Sequence, residues 1–232
     1  MEKQKVAFRD LGRMDYKTAW AYQEELMKAN LGIKAQTGNE QPATGNVANC
    51  VLPTSHYLLF VEHPPVYTLG KSGKMENVLI NEEEQKRRGI EFFQTNRGGD
   101  ITFHGHGQIV GYPILDLEKF YTDIGRYLRE LEEVIILTLS EYAIIAGRSR
   151  GETGVWIDAD VKGKERKICA MGVRCSRWIT MHGFAFNINT DLSYFNYIVP
   201  CGIHDKKVTS LKEELGRDVP TEEVKQKLKR NF

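Results

Sequence analysis

The sequence predicts an α+β fold in which a mixed sheet is flanked by helices. Apolar runs typical of buried strands follow one another along the chain, and the segments with helical periodicity lie beside these runs. This order favours α+β over a regular strand–helix–strand alternation. The length of 232 residues fits one large domain, or one domain with a small appendage, and is enough to bury a core without disulfides.

The first part of the chain is predicted to form a helix, a loop and short strands. Residues 15–30 predict the helix, with Asp15 as its N-cap and Gly32 as its stop. Residues 33–54 are rich in Gly, Asn, Thr and Gln, so we expect a polar loop insertion there. Apolar runs then predict strands over residues 56–61, 66–69 and 91–95.

A strand and a long helix are predicted in the middle of the chain. Residues 108–117 alternate apolar and polar side chains as far as Pro113, and a proline inside a strand indicates an edge position or a bulge. Residues 122–146 carry apolar side chains at helical spacing on one face, and Gly147 can end this helix.

The C-terminal part is predicted to return to strands and to end in helices. The strands are expected over residues 154–159, 167–175 and 184–189. A capping box at Ser210 opens a short helix, Gly216 stops it, and a last helix begins near Thr221. We therefore expect a single domain over residues 1–232 with a helical segment at 210–232.

Charge and hydropathy exclude several functional classes. The formal net charge is +1, which argues against a nucleic-acid binder that relies on bulk electrostatics. The N-terminus has no apolar segment of the kind found in a signal peptide, and no stretch of about 18 apolar residues predicts a membrane span. We expect a cytoplasmic protein with neither a nucleic acid nor a membrane as its partner.

The cysteines predict neither a disulfide framework nor a metal site. Cys50, Cys169, Cys175 and Cys201 form no CxxC pair and have no zinc-ligand spacing. Cys169 and Cys175 belong to a predicted strand, so we expect them in the core, and Cys50 lies in the polar loop. The thiols are expected to be reduced.

Residues 97–108 combine glycine and histidine at unusual density. The turn Arg97-Gly98-Gly99 can bring the backbone close to a ligand, and the imidazoles that follow could orient a carbonyl or a thioester. A glycine-rich hairpin whose polar groups satisfy one another explains the same pattern, so both interpretations stay open. No GxxxxGK[ST] phosphate loop is present.

Two further segments contain candidate reactive side chains. Cys201 lies between Pro200 and Gly202, which fits an exposed turn and a thiol nucleophile, although a small buried thiol is the alternative. Lys167 begins an apolar strand, and its head can either stay in water or point into a pocket and exchange a proton. Spacing alone does not establish the two residues as a pair.

Five segments in order resemble one family, the octanoyltransferases of lipoate biosynthesis. The resemblance covers roughly residues 15–215 and is carried by residues 62–70, 97–113, 167–172, 182–185 and 200–203. It implies the α+β catalytic domain of the biotin and lipoate protein ligases. It also implies transfer of an octanoyl group from octanoyl-acyl carrier protein to a lysine of a lipoyl domain, in 2-oxoacid dehydrogenase subunits and in the glycine cleavage H protein.

The resemblance also implies roles for individual residues. Cys201 matches the nucleophile that carries the acyl group as a thioester, and Lys167 matches the lysine that promotes its thiolate. No cofactor and no metal is implied. The residues that match substrate-binding positions are Arg97, Gly98, Gly99, Asp100, Ile101, Thr102, Phe103, His104, Ala170, Met171, Gly172, Gly183, Phe184 and Ala185.

Two departures and two rival functions accompany the resemblance. His106 stands where the family commonly has proline, and residues 33–54 are longer than the usual link, which puts loop geometry and carrier docking in question. An ATP-dependent lipoate protein ligase would share the fold and the lysine without needing the cysteine. A non-catalytic, carrier-binding relative is the other alternative. We expect a monomer.

Overall fold

The computed structural model describes residues 3–37, 53–199 and 207–232. Within these ranges the helices are α1 (Tyr16–Thr37), α2 (Glu82–Arg87), α3 (Ile124–Ser140), α4 (Leu211–Leu215) and α5 (Thr221–Asn231). The strands are β1 (Val6–Arg13), β2 (His56–Glu62), β3 (Val66–Leu69), β4 (Glu91–Gln94), β5 (Ile101–His104), β6 (Gln108–Ile114), β7 (Ala146–Gly147), β8 (Val155–Ile157), β9 (Arg166–Ser176), β10 (Ile179–Asn187) and β11 (Lys207–Val208).

A large mixed sheet forms the centre of the molecule. Its strand order is β1-β2-β6-β10-β9-β8-β7, and β11 pairs with β9 outside this path. The pairs β1–β2 and β9–β11 are parallel, whereas the other neighbours are antiparallel. The strands β4, β3 and β5 form a second sheet, in the order β4-β3-β5, that shares no strand with the first. The predicted mixed sheet is therefore confirmed.

Helices cover both faces of the large sheet. Successive residues of a strand point to opposite faces, so Phe60 packs with α3 and α5 while its neighbour Leu59 packs with α1. On the first face Ile135 of α3 and Leu228 of α5 are fully buried. Ala19 of α1 is fully buried on the other. This arrangement confirms the predicted α+β fold with flanking helices.

The prediction that Gly32 stops α1 is wrong, because the helix continues to Thr37. Lys34 holds the added turn in place: its ammonium lies 2.7 Å from the buried carboxylate of Asp116 and donates to the carbonyl of Arg177 at 2.9 Å. Tertiary contacts of this kind override the helix-breaking tendency of a single glycine. Residues 33–37 are therefore helical and do not belong to the polar loop.

Pro113 does not mark an edge, because β6 lies between β2 and β10 in the large sheet. The pairing of β6 with β10 runs only from Gln108 to Gly111. Pro113 lies beyond the end of that ladder, so this side of β6 requires no N–H from it. The hydroxyl of Thr180 donates to the Pro113 carbonyl at 2.9 Å and replaces the regular pairing.

Two predicted boundaries differ from the structure because of backbone in the left-handed region. The helix α3 ends at Ser140 instead of residue 146, and Ala143, with φ at 57°, turns the chain away. Strand β10 begins at Ile179 instead of residue 184, because Arg177 and Trp178 both have positive φ and form a two-residue hairpin turn after β9. Sequence patterns do not reveal left-handed residues other than glycine.

The C-terminal helices agree with the prediction. The side chain of Ser210 accepts the backbone N–H of Glu213, and Gly216 ends α4 in the left-handed conformation. The last helix, α5, begins at Thr221 directly after Pro220. No helix in the described part of the chain is long and apolar enough to cross a membrane.

Candidate active site

A cavity of about 630 Å³ lies where the two sheets meet. It brings together most of the residues that the sequence marked as substrate-binding, together with the predicted proton-transfer lysine. The members of the predicted set that line it are Arg97, Gly98, Gly99, Asp100, Ile101, Thr102, His104, Lys167, Ala170, Met171, Gly172, Gly183, Phe184 and Ala185.

One wall of the cavity is the turn at residues 97–99, which packs against β9. The backbone N–H of Gly98 donates to the carbonyl of Val173 at 2.9 Å. A Cβ at Gly172 would lie 2.6 Å from the carbonyl oxygen of Gly98, closer than real Cβ atoms approach backbone. Gly172 is therefore required for the turn to approach the strand.

We expect Gly172→Ala to reduce strongly the acyl transfer that the family resemblance implies, since the added methyl pushes the turn away from β9 and a displacement of about 1 Å can cost roughly 10²-fold in rate. Gly147→Ala is the matched control, because Gly147 also lies in a strand and a Cβ there would meet no atom within 4 Å. Rates and unfolding midpoints of both variants provide the measurement. An unchanged rate in Gly172→Ala would contradict the tight packing described here.

Arg97 holds the turn together from inside the protein. Its guanidinium, on a side chain that is almost wholly buried, donates to the carbonyl of Thr68 at 2.5 Å and to the Thr68 hydroxyl at 3.0 Å. It also donates to the carbonyls of Asp100 at 2.7 Å and Gly98 at 3.0 Å. Charge-assisted bonds of this number fix the turn against β3.

A chain of buried hydrogen bonds continues from the Thr68 hydroxyl. It lies 3.2 Å from Nε2 of His104, and Nδ1 of His104 lies 3.0 Å from the side-chain oxygen of Gln108. The Gln108 amide nitrogen donates to Asn187 at 2.8 Å, and the Asn187 amide donates to the carbonyl of Thr209 at 3.0 Å. The polar groups of residues 97–108 thus satisfy one another, as the hairpin interpretation predicts. Residues of the same segment also line the cavity, so the ligand-binding interpretation stays a prediction.

Lys167 lines the cavity and is partly buried, with its ammonium over an aromatic ring. Its Nζ lies 4.5 Å from the ring centroid of Trp156, its cross-strand neighbour on β8. Gly154 lies beside the lysine stem and has a φ of 123°, a conformation that L side chains rarely adopt. An ammonium over an indole face is an attractive contact of about 0.5–2 kcal/mol.

Cys201 and the rest of residues 200–206, like Cys50, lie outside the described residues. The described residues on both sides of this segment do reach the site. Phe195 and Val208 line the cavity. Val208 pairs with Lys167 in the sheet, and the N–H of Thr209 donates to the Lys167 carbonyl at 3.0 Å.

Three buried histidines lie at the cavity or next to it: His104 and His182 line the cavity, and His63 packs against His104. Burial lowers the pKa of His63 to about 4 and that of His182 to about 3, and the guanidinium of Arg97 contributes to the shift at His182. Burial likewise holds the pKa of His104 well below its usual range, with the same guanidinium contributing. All three imidazoles are therefore neutral at neutral pH.

The structure departs from the sequence expectations at Phe103 and Cys175, and it also gives the positions of His106 and Cys169. Phe103 does not line the cavity: it is buried in the core and stacks on Tyr194, with ring centroids 4.6 Å apart. His106 is exposed on the turn after β5, and its Nδ1 lies 3.2 Å from Glu62. Cys169 is fully buried, as expected for a core thiol, while Cys175 is only partly buried.

Sequence reasoning missed several residues that border the cavity. Tyr16 is nearly fully buried there and stacks on His104, with ring centroids 5.9 Å apart. Trp156 lies under the ammonium of Lys167. The register between β8 and β9 is what brings Trp156 to Lys167, and no local pattern reveals that register. Within the described residues, no group of three potential ligands could hold a metal ion.

Comparison with known proteins identifies the family. The sequence profile described as the lipoyl protein ligase A/B catalytic domain matches residues 15–232. The chain belongs to this family of catalytic domains. Its match covers the cavity, both sheets apart from β1, and the C-terminal helices.

Curated relatives carry a more particular name. A protein of Flavobacterium johnsoniae named octanoyltransferase is 58% identical over 225 residues, which are 97% of this chain and 93% of the relative. A protein of Christiangramia forsetii with the same name is 56% identical, over 98% of this chain and 94% of the relative. The family resemblance and the prediction of a transferase enzyme are confirmed.

A solved structure supports the fold. A lipoate-protein ligase A bound with ATP superposes with a TM-score of 0.70 at 16% identity, over 100% of this chain and 84% of the ligase. At this identity the likeness concerns the fold alone. The predicted fold of the lipoate protein ligases is therefore confirmed.

Proposed function

We propose that this chain transfers an octanoyl group from octanoyl-acyl carrier protein to a lysine of lipoyl domains, through a thioester on Cys201. The acceptors would be 2-oxoacid dehydrogenase subunits and the glycine cleavage H protein. The observation that carries the proposal is the position of Lys167, which lines the cavity while its backbone is paired with the strand that follows Cys201. The name of the curated relatives supports the choice of acyl group.

The lining of the cavity suits an alkyl chain. Val110, Met171, Phe184, Ile124 and Leu128 are among its apolar lining residues. Burial of each methylene of an acyl chain contributes about 0.8 kcal/mol, so a medium chain gains several kcal/mol in such a cavity. The neutral imidazoles of His104 and His182, which also line the cavity, add no charge that would have to be desolvated beside the chain.

The reaction would proceed in two balanced steps. Lys167, starting as the neutral amine, takes the proton of the Cys201 thiol, and the thiolate attacks the carbonyl carbon of the carrier thioester. The carrier sulfur leaves with the proton that Lys167 holds, and the octanoyl group stays on Cys201. The neutral amine of the acceptor lysine then attacks, the Cys201 thiolate leaves, and Lys167 accepts the proton that the amine loses.

The energetics of these steps explain why no nucleotide would be needed. The first step exchanges one thioester for another and is nearly balanced. The second step replaces a thioester by an amide, which makes the overall transfer favourable. This feature separates the proposal from an ATP-dependent ligase, which the shared fold alone would also allow.

The test is an intact-mass measurement of the protein incubated with octanoyl-acyl carrier protein in the absence of ATP. We expect one octanoyl adduct, sensitive to hydroxylamine as a thioester is, and its transfer to an added lipoyl domain. Transfer that occurs only from free acid and ATP would contradict the proposal and support the ligase. Binding of the carrier without any adduct or transfer would support the non-catalytic relative.

A further inference from the structure

A short turn outside the predicted binding segments connects them to the chain that leads into Cys201. This 3-10 turn spans Met75–Asn77. The Asn77 amide nitrogen donates to the Asp100 carboxylate at 2.6 Å. The Asn77 carbonyl accepts the backbone N–H of Val199 at 2.8 Å, two residues before Cys201. One residue thus contacts both the binding turn and the approach to the nucleophile.

The Asp100 end of this connection is firmly held. Its second carboxylate oxygen accepts the N–H of Ile101 at 2.7 Å, so both oxygens have donors. Its carbonyl accepts from the Arg97 guanidinium at 2.7 Å and from the N–H of Gly70 at 3.1 Å. The carboxylate therefore presents one orientation to Asn77.

The other end is held by backbone pairing. Val78 forms an antiparallel bridge with Ile198, and the N–H of Leu79 donates to the Tyr197 carbonyl at 2.9 Å. Ile198 is 3% exposed, so its side chain anchors this pairing in the core around β3 and β5. Any displacement of the turn is passed to residues 197–199 through three consecutive contacts.

We propose that Asn77 is a positioning residue for the nucleophile. Through Asp100 and Val199, it ties the turn that would hold the acyl group to residues 197–199, which lead towards Cys201 in the sequence. The inference rests on the proposed function, because it assumes that Cys201 attacks a thioester bound at this turn. Asn77 itself touches no reacting atom in this scheme.

The test exchanges the amide of Asn77 and the carboxylate of Asp100 in two steps. Asn77→Asp places a carboxylate against Asp100, and the repulsion should displace residues 197–199. We expect single-turnover acylation at saturating octanoyl carrier to slow about 10- to 100-fold, the scale of a misplacement of roughly 1 Å. The double variant Asn77→Asp with Asp100→Asn restores one amide and one carboxylate, and it should recover most of the lost rate.

Asn81→Asp is the matched control, with the same chemical change four residues further on. Asn81 caps α2 by accepting the Glu84 N–H at 2.9 Å, and aspartate caps a helix as well as asparagine does. Unfolding midpoints of all variants show whether a slow rate reflects only loss of folded protein. A wild-type rate in Asn77→Asp, or a double variant no faster than Asn77→Asp, would overturn the inference. Absence of any adduct on the wild-type protein would instead refute the proposed function.

Discussion

Cys201→Ala is expected to form no octanoyl adduct and to lose transfer completely. The proposed route passes through a thioester on this sulfur, and the alanine variant offers no other atom at that position. Cys175→Ala serves as control, since Cys175 lies on β9 outside the cavity lining and should leave both steps intact. The measurement is the intact mass after incubation with octanoyl carrier, followed by transfer to a lipoyl domain.

The same measurement tests whether Lys167 acts as a proton acceptor or only as a structural residue. Lys167→Met keeps an apolar stem beside Trp156 and removes the ammonium, so adduct formation should slow by about 10²–10⁴-fold, the usual scale of general acid–base catalysis. Lys167→Arg keeps a positive charge but cannot accept a proton near neutral pH, so it should rescue little. Adduct formation at the wild-type rate in Lys167→Met would reduce Lys167 to a structural residue.

Acidification should destabilise the protein steeply between about pH 6.5 and pH 4. The pKa of His63 falls to about 4 and that of His182 to about 3 on folding, from an ordinary value of 6.5. In this interval the two histidines are protonated in the unfolded chain but remain neutral in the folded protein, so the free energy of unfolding falls as the pH falls. Each histidine contributes roughly 1.4 kcal/mol per pH unit.

The surroundings of His63 and His182 explain why the pKa of each histidine is lowered on folding. His63 packs against Tyr16 and Tyr112 and is bonded to the carbonyl of Met14, and its burial outweighs the opposing effect of the nearby Asp15 carboxylate on the pKa. His182 packs near Trp20, and its Nε2 donates to Asn96. A proton on either ring would place a charge in a buried environment, which disfavours the protonated form.

Urea unfolding at a series of pH values checks this expectation. His63→Gln should reduce the slope of stability against pH by about one proton between pH 6 and pH 4.5. His106→Gln is the control, because the His106 side chain is 56% exposed. Carboxylates that titrate in the same interval are common to all three proteins and cancel in the comparison. Equal slopes in His63→Gln and the wild type would contradict the assignment.

Local sequence signals predicted the elements that local forces determine. The apolar runs of β2 and β3, the cap at Ser210 and the glycine stop at Gly216 all depend on neighbours within a few residues, and all agree with the structure. The strand β1 was missed because most of its residues are exposed and its composition is polar. It is defined by parallel pairing with β2, some fifty residues away in sequence.

The candidate site was predicted by resemblance more than by pattern. Glycine density identified the turn at residues 97–99, but nothing local indicated that it would pack on Gly172. The position of Trp156 under Lys167 and the extension of α1 by Lys34 and Asp116 both depend on contacts between distant parts of the chain. Such contacts depend on the register of the sheet and on buried ion pairs, and neither can be predicted from local patterns in a single sequence.

The hydrogen-bond chain that starts at Arg97 has a fixed polarity. The Gln108 oxygen can only accept, so Nδ1 of His104 carries the proton, and its Nε2 lone pair receives the Thr68 hydroxyl. Every dipole between Arg97 and Thr209 then points the same way, and reversing one would leave two donors facing each other. His104 is consequently unsuited to shuttle protons. Its two ring nitrogens join Thr68 of β3 to Gln108 of β6, and so connect the small sheet to the large one.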